Sequence, residues 1–481
     1  MEESLKQKTI SGVSWSFAEN VLVRGTNFII GIVIARILSP TEYGLIGLLG
    51  VFLAISQLFI DGGLTTALIR TKNPSEKDFS TVYLINILLS VFFYFLLFFC
   101  APVIADYYDQ PLLRPLIRVL SLTLVIASIA SIQGTILTIR VDFRTKTLIS
   151  ISASLISGLT GLLCAYKGWG VWALVAQSVI STTVISVLSL ILVHWFPKLR
   201  FSKASFQKLF SFGSKKLLAS FISIAYENTY NLVIGKRFGV RDVGLFSRAN
   251  QFPGVINQTL INSFNRVAFP ILSRIQDEDQ RLISIYERYI QAFCFLAFPI
   301  LMGLCGCARP IISLLLKDRW LDCAPYMQLI CLSLLPNGII IINLNLLYVK
   351  GRSDLLLRME VIKKMIMFAV MFVAMFFGMK ALCLSLILNG WIDLYFSSYY
   401  TKKILGYRLS QQLKAVFPYF LLSLFVLALS SFFTVLIHKE LVSVLVSIIV
   451  CPIAYFFLAR MMKLYVYREA VSLLREKIVK H

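Results

Sequence analysis

The chain has 481 residues, of which 58% are apolar and only 15% charged, and its 47 Lys+Arg against 24 Asp+Glu give a formal net charge of +23. Soluble globular domains are about 45–50% apolar and about 25% charged, so that class is excluded. The basic excess does not point to nucleic acid either, because Lys and Arg fall in short segments between apolar runs, the distribution expected of cytoplasmic loops in a membrane protein.

Residues 1–10 are polar and carry Lys6 and Lys8, with no short apolar run and small-residue cleavage site after them, so a retained first span is expected. A span needs about 20 mostly apolar residues. Runs of that kind recur at Phe79–Ile104, Leu112–Thr138, Ser284–Ala308 and Ala415–Ile437. Fourteen transmembrane helices are predicted, starting near residues 11, 42, 79, 112, 147, 169, 214, 242, 284, 321, 358, 380, 415 and 440. The expected fold is therefore an all-α polytopic membrane protein with both termini cytoplasmic. Its eighth helix, near Asp242–Phe269, is too polar for hydropathy alone. It is read as crossing because otherwise the basic clusters Lys350–Lys364, Lys402–Lys414 and Arg460–Lys480 would face outward, against the Lys/Arg bias.

An internal repeat supports this arrangement. IVIARILSPTEYGL at 32–45 aligns without a gap to LVIGKRFGVRDVGL at 232–245, pairing Val33 with Val233, Arg36 with Lys236, Glu42 with Asp242 and Gly44 with Gly244. An even number of helices separates the copies, so two parallel six-helix repeats would share one orientation in the membrane. The predicted division is an N-terminal lobe at 1–195, a basic cytoplasmic linker at 196–213, a C-terminal lobe at 214–405, and two extra helices with a basic tail at 406–481.

Polar stripes mark the candidate site. Helix 8 places Arg248, Gln251, Gln258, Asn262 and Arg266 on one face, helix 1 does the same with Ser16, Asn20, Arg24 and Asn27, and helix 7 with Ser220, Ser223, Glu227, Asn228 and Asn231. A cation at mid-membrane costs roughly 2.5–3.5 kcal/mol on insertion scales, so Arg24 and Arg248 need a wet cavity or an anionic partner. One reading is mutual neutralisation with Glu19 and Glu227. The functional reading is an anion-binding cavity, since the planar guanidinium donates paired hydrogen bonds to phosphate. Snorkelling to the interface is the plain alternative for Arg266. Asp61, Glu19 and Glu227 are the candidates for a coupling proton or sodium ion, with Asp393 on helix 12 a further carboxylate of that kind. Ser150, Ser154, Ser157 and Gly161 on helix 5 form a small-residue stripe that reads as a close helix contact.

Signals for catalysis and cofactors are missing from the sequence. It has no P-loop and no HExxH, only three His (His194, His438 and His481), and loops too short for a catalytic domain. Its nine Cys are scattered, Cys164, Cys294, Cys383 and Cys451 within apolar runs, and Cys305 and Cys307 lack metal-ligand spacing. The expectation is a transporter, not an enzyme, with no cofactor and no metal.

SGVSWSFAENVLVRGTNFIIGIVIARILSPTEYGLIGL, FIDGGLTTALIRTKNPSEKDFSTVYLINILLS, VDFRTKTLISISASLISGLTGLLCAYKGWGVWALVAQS and GVRDVGLFSRANQFP resemble the Wzx-type polysaccharide flippases, nearest to the colanic-acid type, within the multidrug/oligosaccharidyl-lipid/polysaccharide exporter superfamily. The likeness is strong over residues 10–180 and fades in the last 80. It implies two six-helix lobes around a central cavity plus two C-terminal helices, in the bacterial inner membrane. The implied substrate is undecaprenyl-pyrophosphate-linked oligosaccharide for exopolysaccharide, capsule or O-antigen synthesis, moved by alternating access. Arg24 and Arg248 would hold the pyrophosphate, and a polymerase and glycosyltransferases of the same pathway would be partners. A multidrug antiporter of the same superfamily would favour acidic cavity residues, a lipid II flippase would share the basic ones, and a membrane glycosyltransferase would need a large external loop with carboxylates.

Overall fold

The computed structural model describes residues 22–71, 73–198, 200–469 and 471–472. Among them there are helices and short connections, and no strand. The helices are α1 (22–37), α2 (Pro40–Asp61), α3 (Leu64–Arg70), α4 (Glu76–Tyr107), α5 (Leu113–Leu120), α6 (Leu122–Ile129), α7 (Ser131–Ile139), α8 (Phe143–Tyr166), α9 (Trp172–Val193) and α10 (Lys203–Arg237). They continue as α11 (Val240–Arg274), α12 (Asp279–Gly306), α13 (Ala308–Leu316), a 3-10 turn (Asp318–Cys323), α14 (Ala324–Ser333), α15 (Asn337–Val349), α16 (Ser353–Ala374), α17 (Met379–Leu405), α18 (Leu409–Leu436) and α19 (Glu440–Met461). Eight of these helices are long and apolar enough to cross a membrane, and ten spans result if the two bent pairs each count as one. The bends lie between α6 and α7, at 43°, and between α14 and α15, at 40°. Pro336 precedes α15 at the second bend and cannot donate a backbone hydrogen bond there.

Polar turns fix where helices begin. Ser39 and Glu42 form a reciprocal cap on α2: the Ser39 amide donates to the Glu42 carboxylate at 2.6 Å, the Glu42 amide donates to Ser39 Oγ, and Pro40 supplies the preset φ of the first turn. Ser75 and Asp78 repeat the device on α4, and Asp142 caps α8 by accepting from the Thr145 amide at 3.1 Å. These caps lie a few residues ahead of the apolar runs, so α2, α4 and α8 start slightly before the positions hydropathy assigns. The difference is larger at α10, which begins at Lys203, so much of the segment expected to be a linker is helical.

The chain divides into two compact units, residues 1–244 and 245–481. In the first, α8 packs on α9, α4 on α5 and α6, and α10 on α2 and α3. Its apolar layers include Leu68, Val82, Ile132 and Trp195 in one place and Ile34, Leu38 and Ala173 in another. The second unit centres on α12, whose Phe293, Cys294, Phe298 and Tyr286 are buried against α15, α18 and α19. Lipid tails are as apolar as these side chains, so close packing and interhelical hydrogen bonds must hold the helices together. The small-residue stripe of α8 serves this end: Ser154 donates to Asn27 of α1 at 2.7 Å, and a Cβ added at Gly161 would lie 3.0 Å from Gln177 Cβ and 3.3 Å from Ile34 Cδ1.

The internal repeat has a physical counterpart within the first unit. A Cβ on Gly44 of α2 would collide with the Val240 carbonyl, and a Cβ on Gly244 in the first turns of α11 would collide with the Pro40 carbonyl. Pro40 and Val240 are equivalent positions of the repeat, as are Gly44 and Gly244. Each copy thus seats the other's backbone on its own glycine, a crossing with local two-fold character that no larger residue permits.

Candidate functional site: the polar faces of α1, α10 and α11

Glu19, Asn20 and Ser16 lie outside the described residues. On α1, Arg24 is exposed, and Asn27, one turn on, accepts the bond from Ser154. Arg24 stands 13 residues before the end of α1, about 20 Å along the axis at 1.5 Å per residue. On α10, Glu227 is exposed, Asn228 donates to the carbonyl of Ile224 at 2.8 Å, and the carboxamide oxygen of Asn231 is buried with no hydrogen-bond partner among the described residues. Asp61 is half-buried at the end of α2, where Gly62 and Gly63 carry the chain through left-handed conformations.

The stripe on α11 splits into two environments. Arg248, about 12 Å into the helix, is only 7% exposed and its guanidinium donates to Gln251 within the same turn. Beyond Pro253, Gln258 is exposed and donates to Asn262 at 3.0 Å, and Arg266 is exposed. Asn257, on another face, is buried with an unpartnered carboxamide oxygen, while Asn265 accepts from Asn345 of α15 at 2.7 Å. One helix therefore has a packed arginine near its beginning and an open polar face further along. Neither Arg24 nor Arg266 has an ion-pair partner among the described residues.

An apolar cavity of about 420 Å³ lies elsewhere in the second unit, walled by α12, α18 and α19 through residues such as Pro299, Gly303, Val426, Ile448 and Pro452. Its lining has no charged residue. It suits hydrocarbon and offers nothing to a charged headgroup.

Two polar assemblies in the second unit are not visible as assemblies in the sequence, which singles out only Asp393 among their members. In the first, Asn343 accepts from the Tyr286 hydroxyl and its amide nitrogen lies 3.2 Å from Ser397 Oγ, Ser398 Oγ and Gln412 Oε1, all fully buried. The second joins Lys363 of α16 to Asp393 of α17 and to Glu360. Their partners lie up to 69 residues apart in sequence, and only an isolated polar residue inside each apolar run hinted at them. Among the described residues no group of His, Cys, Asp and Glu is placed to hold a metal ion.

Residues 33–325 match the family described as polysaccharide biosynthesis protein. The chain belongs to that family. It is 27% identical to the lipopolysaccharide biosynthesis protein WzxC of Escherichia coli K12 over 75% of this chain and 74% of the relative. It is 26% identical to the succinoglycan biosynthesis transport protein ExoT of Rhizobium meliloti, over 69% of this chain and 68% of the relative. Its fold matches that of the lipid II flippase MurJ in an inward closed conformation, with a TM-score of 0.69 at 14% identity, covering 94% of this chain and 99% of that one. The all-α, multi-pass membrane architecture expected from the sequence is thus the architecture of the family member.

Proposed function

We propose that this protein is a flippase that carries undecaprenyl-pyrophosphate-linked oligosaccharide from the cytoplasmic to the periplasmic leaflet of the bacterial inner membrane, with both termini cytoplasmic. The observation that carries this reading is the pair of exposed guanidinium groups, Arg24 and Arg266, on helices whose sequence pattern reads as crossing the membrane, in a member of the polysaccharide-biosynthesis family, neither held by a carboxylate among the described residues. A cation of that kind is tolerated at depth only where water or an anion reaches it. The anionic oxygens of a pyrophosphate match the planar fork of an arginine. On α11 the carboxamides of Gln258 and Asn262 extend the polar face for sugar hydroxyls, and Asn27 does so on α1, while the polyprenyl chain stays in lipid. Arg248 enters the path only when the Gln251 contact opens, so alternating exposure of the headgroup would include a change in its packing.

The family likeness to WzxC and ExoT favours polysaccharide units over lipid II, and arginines on the polar faces disfavour an organic cation. The test is surface polysaccharide export in a strain lacking the native gene, with Arg24→Ala, Arg248→Ala and Arg266→Ala each compared with Arg→Lys at the same position. Export is expected to fall at least tenfold in the Ala variants at Arg24 and Arg266, with lipid-linked oligosaccharide accumulating in the cytoplasmic leaflet and membrane levels of protein unchanged. Full export by all three Ala variants removes the site, and unchanged polysaccharide in the deletion strain removes the function.

A further inference from the structure

The side chains of Glu360, Lys363 and Asp393 meet where α16 packs on α17. The Lys363 ammonium lies 2.8 Å from Asp393 Oδ1 and 2.5 Å from Glu360 Oε1. It retains 3% of its exposure, against 27% for Glu360 and 20% for Asp393. Lys363 is about 15 Å and Asp393 about 21 Å along their helices, and α17, which carries Asp393, is long and apolar enough to cross a membrane. Buried Leu347, Leu355 and Met359, with Phe396 and Tyr400 against them, close one side, and Met367 and Met371 are buried further along α16.

Charge counting separates this group from an ordinary ion pair. With every member ionised the triad is one negative charge in excess, and with one carboxyl protonated it is neutral. An apolar surrounding tolerates a neutral pair far better than a net charge. Among the described residues no other anion is recorded beside the triad to change the count: α15 faces Glu360 and Lys363 with the phenol of Tyr348, and the two helices themselves add Cys383, Tyr400 and Lys364, the last turned about 100° around α16. Tyrosine and cysteine are ordinarily neutral near pH 7.

We propose that Glu360, Lys363 and Asp393 form a proton-binding site, in which one proton is taken up and released by the two carboxylates while Lys363 remains an ammonium. The step is simple: a proton from water bonds to a carboxylate oxygen to give the carboxylic acid, and the same O–H bond breaks on release. A sodium ion is not the ligand, because the ammonium already occupies the cation position between the two carboxylates. Glu360 rides on α16 and Asp393 on α17, so any shift between these helices changes how well one ammonium serves both carboxylates, and with it the affinity for the proton. Proton binding is therefore linked to movement of α16 against α17. That this linkage drives transport rests on the flippase reading, whereas the existence of the site does not.

The experiment is infrared titration of the purified full-length protein in lipid nanodiscs, following the carbonyl stretch of protonated carboxyl groups as the buffer is made progressively more alkaline. Wild type is expected to show a band that disappears on alkalinisation, with the same midpoint in sodium and potassium buffers. Glu360→Gln or Asp393→Asn is expected to remove it, and Asp61→Asn to leave it. A wild-type protein without such a band overturns the proposal whatever the variants do. So does a band unchanged in both triad variants, or a midpoint displaced by sodium. Export is not read at any point, so the result stands apart from the outcome of the arginine substitutions.

Discussion

Replacing Gly44 and Gly244 by alanine should destabilise the protein, although alanine is the better helix former. Two effects oppose each other. At an open helical position Gly→Ala gains about 0.5–1 kcal/mol, because glycine loses more backbone freedom on folding. At Gly44, however, the added Cβ strikes the Val240 carbonyl oxygen and lies 2.8 Å from its carbon, and at Gly244 it strikes the Pro40 oxygen and lies 2.9 Å from the Gly44 nitrogen. Favourable carbon contacts lie at about 3.5–4.0 Å, so the backbones must part by about 1 Å or more. Overpacking of this order typically costs about 1–3 kcal/mol, which exceeds the propensity gain across most of its range. Gly50, on the same α2, is the control, since nothing lies within 4 Å of its added Cβ. Thermal unfolding of purified protein, followed by size-exclusion fluorescence, should give lower midpoints for Gly44→Ala and Gly244→Ala and an equal or higher one for Gly50→Ala. The double variant should cost less than the sum of the singles, because one separation of the backbones relieves both clashes. Equal midpoints for Gly44→Ala, Gly244→Ala and Gly50→Ala would refute the account of the crossing.

Three further outcomes are expected. Asn343→Leu removes the acceptor of the buried Tyr286 hydroxyl and an amide donor shared by Ser397, Ser398 and Gln412, and should lower stability by about 1–3 kcal/mol in the same assay, whereas Gln258→Leu on the exposed face of α11 should leave stability within about 0.5 kcal/mol. Lys363→Met removes the ammonium from two carboxylates and should cost about 3–5 kcal/mol, part of which returns in the double variant Lys363→Met, Asp393→Asn; no return would mean the carboxylate charge is not what the lysine offsets. For topology, the described native thiols are all free and only Cys100 is not buried, so an exposed engineered cysteine should dominate labelling. Asp318→Cys and Lys439→Cys should react with an impermeant maleimide in intact spheroplasts, and Arg408→Cys only after lysis; the reverse pattern would reject the orientation drawn from the basic loops.

Hydropathy made the apolar helices legible, because a run such as Phe79–Ile104 has no stable alternative to a span once it is in lipid. It placed their starts late, since Ser39, Ser75 and Asp142 cap from polar turns that a hydropathy window discounts. It could not see that Lys203 opens a helix, because polar residues form helices whenever a neighbouring element supports one face, as α2 and α3 do for α10. The stripe on α11 was legible as a face and illegible as an environment. Spacing alone cannot tell that Arg248 is packed while Gln258 and Arg266 are open, with Pro253 between them. The triad and the Asn343 network were least visible, since each depends on residues from helices distant in sequence meeting in register.

The distribution of polar groups in the second unit bears on which of them do work in transport. A buried polar group in lipid is stable when its bonds are made inside the protein, and Asn343 is of that kind, surrounded by Tyr286, Ser397, Ser398 and Gln412. Such a group fixes the packing of α12, α15, α17 and α18 and resists change. Arg266 and Gln258 are the opposite case: they are left open on a helix whose other face is packed, a choice that costs stability unless water and an anion reach them. The triad falls between these extremes, satisfied in one protonation state and overcharged in the other. A transporter needs all three kinds, a rigid frame, an open polar face for the headgroup, and an element whose preferred packing depends on what it has bound. On this reasoning Asn343 substitutions should lower stability and export together, whereas Asp393→Asn should leave stability within about 1 kcal/mol of wild type while abolishing the response of export to external pH. If export in Asp393→Asn keeps its wild-type pH response, the triad is part of the rigid frame instead.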